Sequence, residues 1–113
     1  MEIITEAIAL ARLREMAERK FGDMVKAVVD VEKAIMAIDG ELHADEEGLL
    51  LEHGSSQTSL WGINIYPDAG IADWIEFDSM INLRPSQANR TRGVEDPQLR
   101  QRIVAIVSRL VTR

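Results

Sequence analysis

MVKAVVDVEKAIMAI, residues 24–38, decides the fold. At helical spacing Met24, Val28, Val31, Ile35 and Ile38 form one apolar stripe, whereas in steps of two Ala27, Val29 and Val31 alternate as a strand would. Composition arbitrates. Four valines and two isoleucines in fifteen residues lose rotamer freedom in a helix and suit a pleated surface. The stretch is therefore predicted to be two strands turning near Glu32-Lys33, although no Asn-Gly or Asp-Gly marks the turn.

Working outward, LWGINIY (60–66) alternates Trp61, Ile63 and Ile65 against Gly62, Asn64 and Tyr66 and predicts a third strand, stopped by Pro67-Asp68. WIEFDSMINL (74–83) alternates Ile75, Phe77, Ile81 and Leu83 with polar positions and predicts a fourth. Thr5 is a suitable cap for a first helix bearing Leu10, Leu13, Met16 and Ala17 and stopped at Phe21-Gly22. Asp45 would cap a short helix running to His53 and closed by Gly54, and Asp96-Pro97 opens a last helix striped by Leu99, Ile103, Ile106 and Leu110. The expected order is α-β-β-α-β-β-α in a single α+β domain, residues 1–113, with helices packed on a mainly antiparallel four-stranded sheet.

Composition limits the chemistry. With no cysteine among 113 residues, thiolate metal sites, thiol nucleophiles and disulfides are excluded, which fits a cytoplasmic protein. The N-terminal MEIITEAIALARLREM is not patterned as a signal peptide, and no apolar run is long enough to span a membrane. The net charge of −6 makes binding to duplex nucleic acid unfavourable. Residues 39–78 nevertheless hold ten acids and no Lys or Arg, and residues 84–113 hold seven arginines, no lysine and two acids. That division fits either anion recognition by guanidinium forks or pairing of the two segments within the fold or across a homodimer.

Two stretches could carry a site. In GELHADEEGLL (40–50), Asp45, Glu46 and Glu47 are explained by a capped helix N-terminus, which leaves His43 and Glu41 unexplained. They suit an acid–base pair, with His43 as general base and Glu41 or Asp45 orienting it, as in a small metal-dependent or acid–base hydrolase. The paired-histidine spacing of a metal motif is missing, so no metal ligand is assigned. RPSQANRTRG (84–93) is a donor-rich connection in which Arg84, Gln87, Asn89 and Arg90 could cradle an anionic small molecule or a phosphate, although it lacks P-loop spacing. Asn64, Tyr66 and Trp74 would supply a polar floor for such a pocket.

The segments containing GELHADEE, LWGINIYP, WIEF and INLRPSQANR, with the closing amphipathic helix, resemble a family of short prokaryotic proteins catalogued as a domain of unknown function. The resemblance implies no activity, substrate or cofactor. It does imply that glycine is usual where this chain has Ala34 and Ala88, so that alanine weakens a glycine turn in the first hairpin and should limit positive φ in the arginine loop. The residues thus support an anion-binding module that joins the arginine-rich loop 84–93 to the acidic, histidine-bearing loop 41–47. A hydrolase built on His43 and a homodimeric or protein-binding role stand as alternatives.

Overall fold

In the computed structural model, which describes residues 1–113, the ambiguous stretch is a hairpin. In chain order the elements are β1 (Glu2–Ile4), β2 (Ile8–Ala9), α1 (Leu10–Arg19), β3 (Val25–Asp30), β4 (Ile35–Ile38), α2 (His43–Glu52), β5 (Leu60–Ile65), β6 (Ile75–Glu76), α3 (Pro97–Leu110) and β7 (Val111–Thr112), with three short 3-10 turns. The hairpin turn is organised by Asp30, whose Oδ1 accepts the N–H groups of Glu32 and Lys33 at 2.9 Å each, while the Ser55 hydroxyl donates to Oδ2 at 2.6 Å. This side-chain turn stands in for the absent Asn-Gly.

The main sheet has the order β1-β4-β3-β5-β6, antiparallel throughout. Both of its faces are covered. Val25, Ala27, Val29, Met36, Ile38, Trp61, Ile63 and Ile65 face α1 and α3 in the larger core, and Val28, Ile35, Ala37 and Leu60 face Leu50 of α2 in a smaller one. Double coverage explains why β3 and β4 read as nearly continuous apolar runs and mimicked a helix.

The α+β class and the antiparallel pairing hold, but the strand count and element order differ from expectation. Five strands make the sheet, and β2 and β7 form a separate parallel pair. The first helix starts at Leu10, with Ala9 at the cap position, so Thr5 caps nothing. Residues 2–4 pair instead with the open edge of β4, Glu2 opposite Ile38 and Ile4 opposite Met36, which supplies partners for backbone groups that would otherwise lie unpaired at a sheet edge. The predicted fourth strand is cut to Ile75–Glu76. Beyond it the chain turns across β5, where the Asn82 amide accepts from Gly62 N–H at 2.8 Å and donates to Gly62 C=O at 3.0 Å, replacing a strand neighbour with one side chain. Gly62 permits the crossing, since a Cβ there would lie 2.5 Å from Ser79 Cβ.

α2 begins at His43, two residues before the expected Asp45 cap, and ends before Gly54, whose φ of +99° closes it with Ser55 N–H on Leu50 C=O at 2.9 Å. The Asp96 cap, with Gln98 N–H on Oδ1 at 2.9 Å, and Pro97 at the first helical position are as expected. Ala34 and Ala88 both adopt positive φ, +57° and +59°, the second against the expectation that alanine would limit it. Their surroundings, including Ala34 N–H on Asp30 C=O at 2.9 Å, outweigh a local cost of roughly 1 kcal/mol.

Candidate functional site

The site forms where α2 starts against the outer face of the sheet. Leu42 occupies the cap position and offers no side-chain acceptor, and the His43 and Ala44 N–H groups donate to no group of the chain. Such unsatisfied amides at a helix N-terminus carry partial positive charge.

His43 is only 8% exposed, and its Nε2 lies 2.8 Å from the Ile63 carbonyl oxygen. A carbonyl can only accept, so Nε2 carries the proton and the neutral ring keeps its lone pair on Nδ1. Burial pushes the imidazole below the usual histidine range, and nearby Lys26 pushes the same way, against the Ile63 carbonyl, the Asn64 side chain and Asp78. Asn64 donates to Glu76 Oε1 at 2.8 Å, which leaves its own Oδ1 buried without a donor.

Beside the ring is a hollow of about 180 Å³. Its polar wall consists of Lys26 from β3, His43, Ser79 and Arg92, and its apolar wall of Leu42, Ala44, Met80 and Ile81. No carboxylate lines it. Arg92 is oriented by Asp78, which accepts from Nε at 2.6 Å, and its terminal nitrogens are unbonded within the chain. Ser79 is held by its own N–H on the Arg92 carbonyl at 2.9 Å, which fixes Arg92 beside the mouth. The loops 41–47 and 84–93 therefore meet, through His43 and Arg92.

The other residues singled out from the sequence lie elsewhere. Arg84 is 9% exposed and donates to the carbonyls of Ile81, Gln57 and Leu60 and to Gln87 Oε1, with Glu47 at 3.7 Å. Its donors are consumed in bracing the loop against the edge of β5. Gln87 donates to Thr58 C=O at 3.1 Å, and buried Asn89 bonds three carbonyls and the Glu95 N–H, so both shape the loop. Arg90 is exposed, its N–H bonded to the Glu95 carboxylate and its guanidinium free. The Tyr66 hydroxyl donates to Glu76 Oε1 at 3.1 Å on the same side of the sheet as Asn64. Trp74 packs in the opposite core, with Arg113 4.5 Å over its ring. Glu41 lines a neighbouring hollow with Arg19, Lys20, Phe21 and Leu42, and Asp45 is exposed on α2, so neither carboxylate lines the hollow beside His43. No three His, Asp or Glu side chains are grouped as metal ligands would be.

Lys26 and Ser79 were not legible as site residues. The one available signal was a lysine set inside an otherwise apolar strand, VKAVV, where a charge needs a reason. No helix is long and apolar enough to cross a membrane.

The family described as "Protein of unknown function (DUF5674)" matches residues 2–110, and the chain belongs to that family. Neither the curated proteins nor the solved structures gave a match.

Proposed function

We propose that the protein is a binding module for small oxyanions, phosphate or carboxylate, held in the hollow at the N-terminus of α2. Lys26 and Arg92 supply charge, the free His43 and Ala44 amides supply directed donors, and His43 Nδ1 meets the ligand at the inner end. The observation that carries this reading is His43: nine-tenths buried, tied through Nε2 to Ile63, and lining the hollow with a neutral ring whose second nitrogen is an acceptor. A neutral Nδ1 accepts, so it favours an anion that retains one acidic hydrogen, such as monohydrogen phosphate, or one whose charge draws a proton onto the ring. Arg84, Gln87 and Asn89 hold the arginine-rich loop so that Arg92 is presented.

The test is a titration with inorganic phosphate followed by NMR of the His43 ring and the Ala44 amide, with sodium chloride at matched ionic strength as control. Both signals should shift with phosphate alone, and Lys26→Gln or Arg92→Gln should each weaken binding by about fivefold or more. Unmoved signals at tens of millimolar phosphate would overturn the reading.

A further inference from the structure

Of the seven large apolar side chains left exposed, three lie together: Leu42 and Met80, at 57% and 62% exposure, line the cationic hollow, and Phe21, at 39%, lines the hollow next to it. Leu42 is shared between that hollow and the neighbouring one of about 500 Å³, whose walls include Arg19, Lys20 and Phe21. Lys26, which lines the first, holds its ammonium 5.4 Å from the centroid of the Phe21 ring at the edge of the second. The two hollows thus communicate across Leu42 and the Lys26–Phe21 contact, with apolar side chains forming the sill and cations on either side.

We infer that the ligand is an amphiphilic small molecule: an oxyanion head seated against His43, Lys26 and Arg92, and an apolar ring or short chain laid across Leu42 and Met80 toward Phe21. This rests on the proposed anion site and adds the second half of the ligand. The charge complementarity is local, because the hollow carries no acid in a chain whose net charge is −6. The hollow beside His43, about 180 Å³, has room for an oxyanion head and part of a ring, and Leu42 and Met80, which line it, are the apolar surface such a ring would cover. An exposed leucine and methionine there gain by being covered, while a wholly polar ligand would leave them in water.

The experiment compares inorganic phosphate with phenyl phosphate on the full chain, following the His43 ring and the Met80 methyl by NMR. Phenyl phosphate should bind about tenfold more tightly than phosphate and should shift Met80, which phosphate alone leaves in place. In Leu42→Ala and Met80→Ala, which add no capping hydroxyl, the ratio of the phenyl phosphate and phosphate affinities should shrink to within about twofold. Equal affinities for the two compounds, with His43 shifted by both, would overturn the amphiphile and leave the anion site standing. No response of His43 to either would overturn both. Co-sedimentation with vesicles of phosphatidylglycerol and phosphatidylcholine, without binding of phenyl phosphate, would also overturn the inference in favour of a membrane surface.

Discussion

Glu46 is fully buried beneath the start of α2, its Oε2 accepting the Gly40 N–H at 2.9 Å and its Oε1 without any partner. Burial raises its pKa from 4.5 to about 9, against smaller opposing effects of the Gly40 hydrogen bond and Lys26. The folded protein therefore keeps a proton on Glu46 that the unfolded chain releases. Below pH 4.5 both states hold it and the full stability is present, and as pH rises toward 9 stability falls by up to roughly 1.4 kcal/mol per unit. The loss approaches about 3 kcal/mol at pH 7 and about 6 kcal/mol at pH 9, an upper bound because local opening lets the ionised group reach water. Against a domain stability of about 5–15 kcal/mol this is large.

Glu46→Gln removes the ionisation and keeps an oxygen for Gly40. Its buried amide donors displace the whole stability curve downward by about 1–3 kcal/mol and do not change its slope. Urea unfolding at unit steps from pH 5 to 9, extrapolated to water, gives the stability difference between variant and wild type. That difference should move in the variant's favour by roughly 1 kcal/mol per unit over most of the range. Parallel curves, with the difference constant to about 0.5 kcal/mol, would refute the buried neutral acid.

Further outcomes follow from the same geometry. The His43 ring should titrate below the free-imidazole value of about 6.5, and saturating phosphate should raise the midpoint, because an anion favours the imidazolium; an unchanged midpoint would count against contact at Nδ1. Asn82→Ala strands the Gly62 N–H and C=O and should cost about 2–4 kcal/mol in chemical unfolding, whereas a cost under about 0.5 kcal/mol would mean the amide is dispensable. Ala34→Gly and Ala88→Gly, at φ of +57° and +59°, should each stabilise by about 0.5–1 kcal/mol, measured as a raised melting temperature. Arg84→Lys, which cannot reproduce a fork across three carbonyls, should cost about 2–3 kcal/mol in urea unfolding.

The sequence revealed the elements whose signals are local. Four valines and two isoleucines across residues 24–38 separated β3 and β4 from a helix, Asp96-Pro97 marked α3, and Gly22 and Gly54 marked helix ends. What it hid depends on distant partners. Nothing in Glu2–Ile4 shows that β4 has a vacant edge, and nothing in WIEFDSMINL shows that Gly62 lets Ser79 lie against β5 and Asn82 replace a strand. The site was half legible for the same reason. His43 stood out because capping left it unexplained, but Arg84 looked like a ligand donor because its consumers, the carbonyls of Gln57 and Leu60, lie more than twenty residues away. Lys26 stayed hidden because its role appears only once α2 is laid over its strand.

The pairing of Ile8 with Val111 and Ala9 with Thr112 ties residues about a hundred positions apart. During synthesis this seam cannot close until the last turn of α3 has left the ribosome, so α1 must dock without the anchor at its leading end. Contacts of such sequence separation form late in folding. A truncation that removes only Val111 to Arg113 would therefore act like a missing clasp, leaving an assembled molecule whose first helix frays from its start.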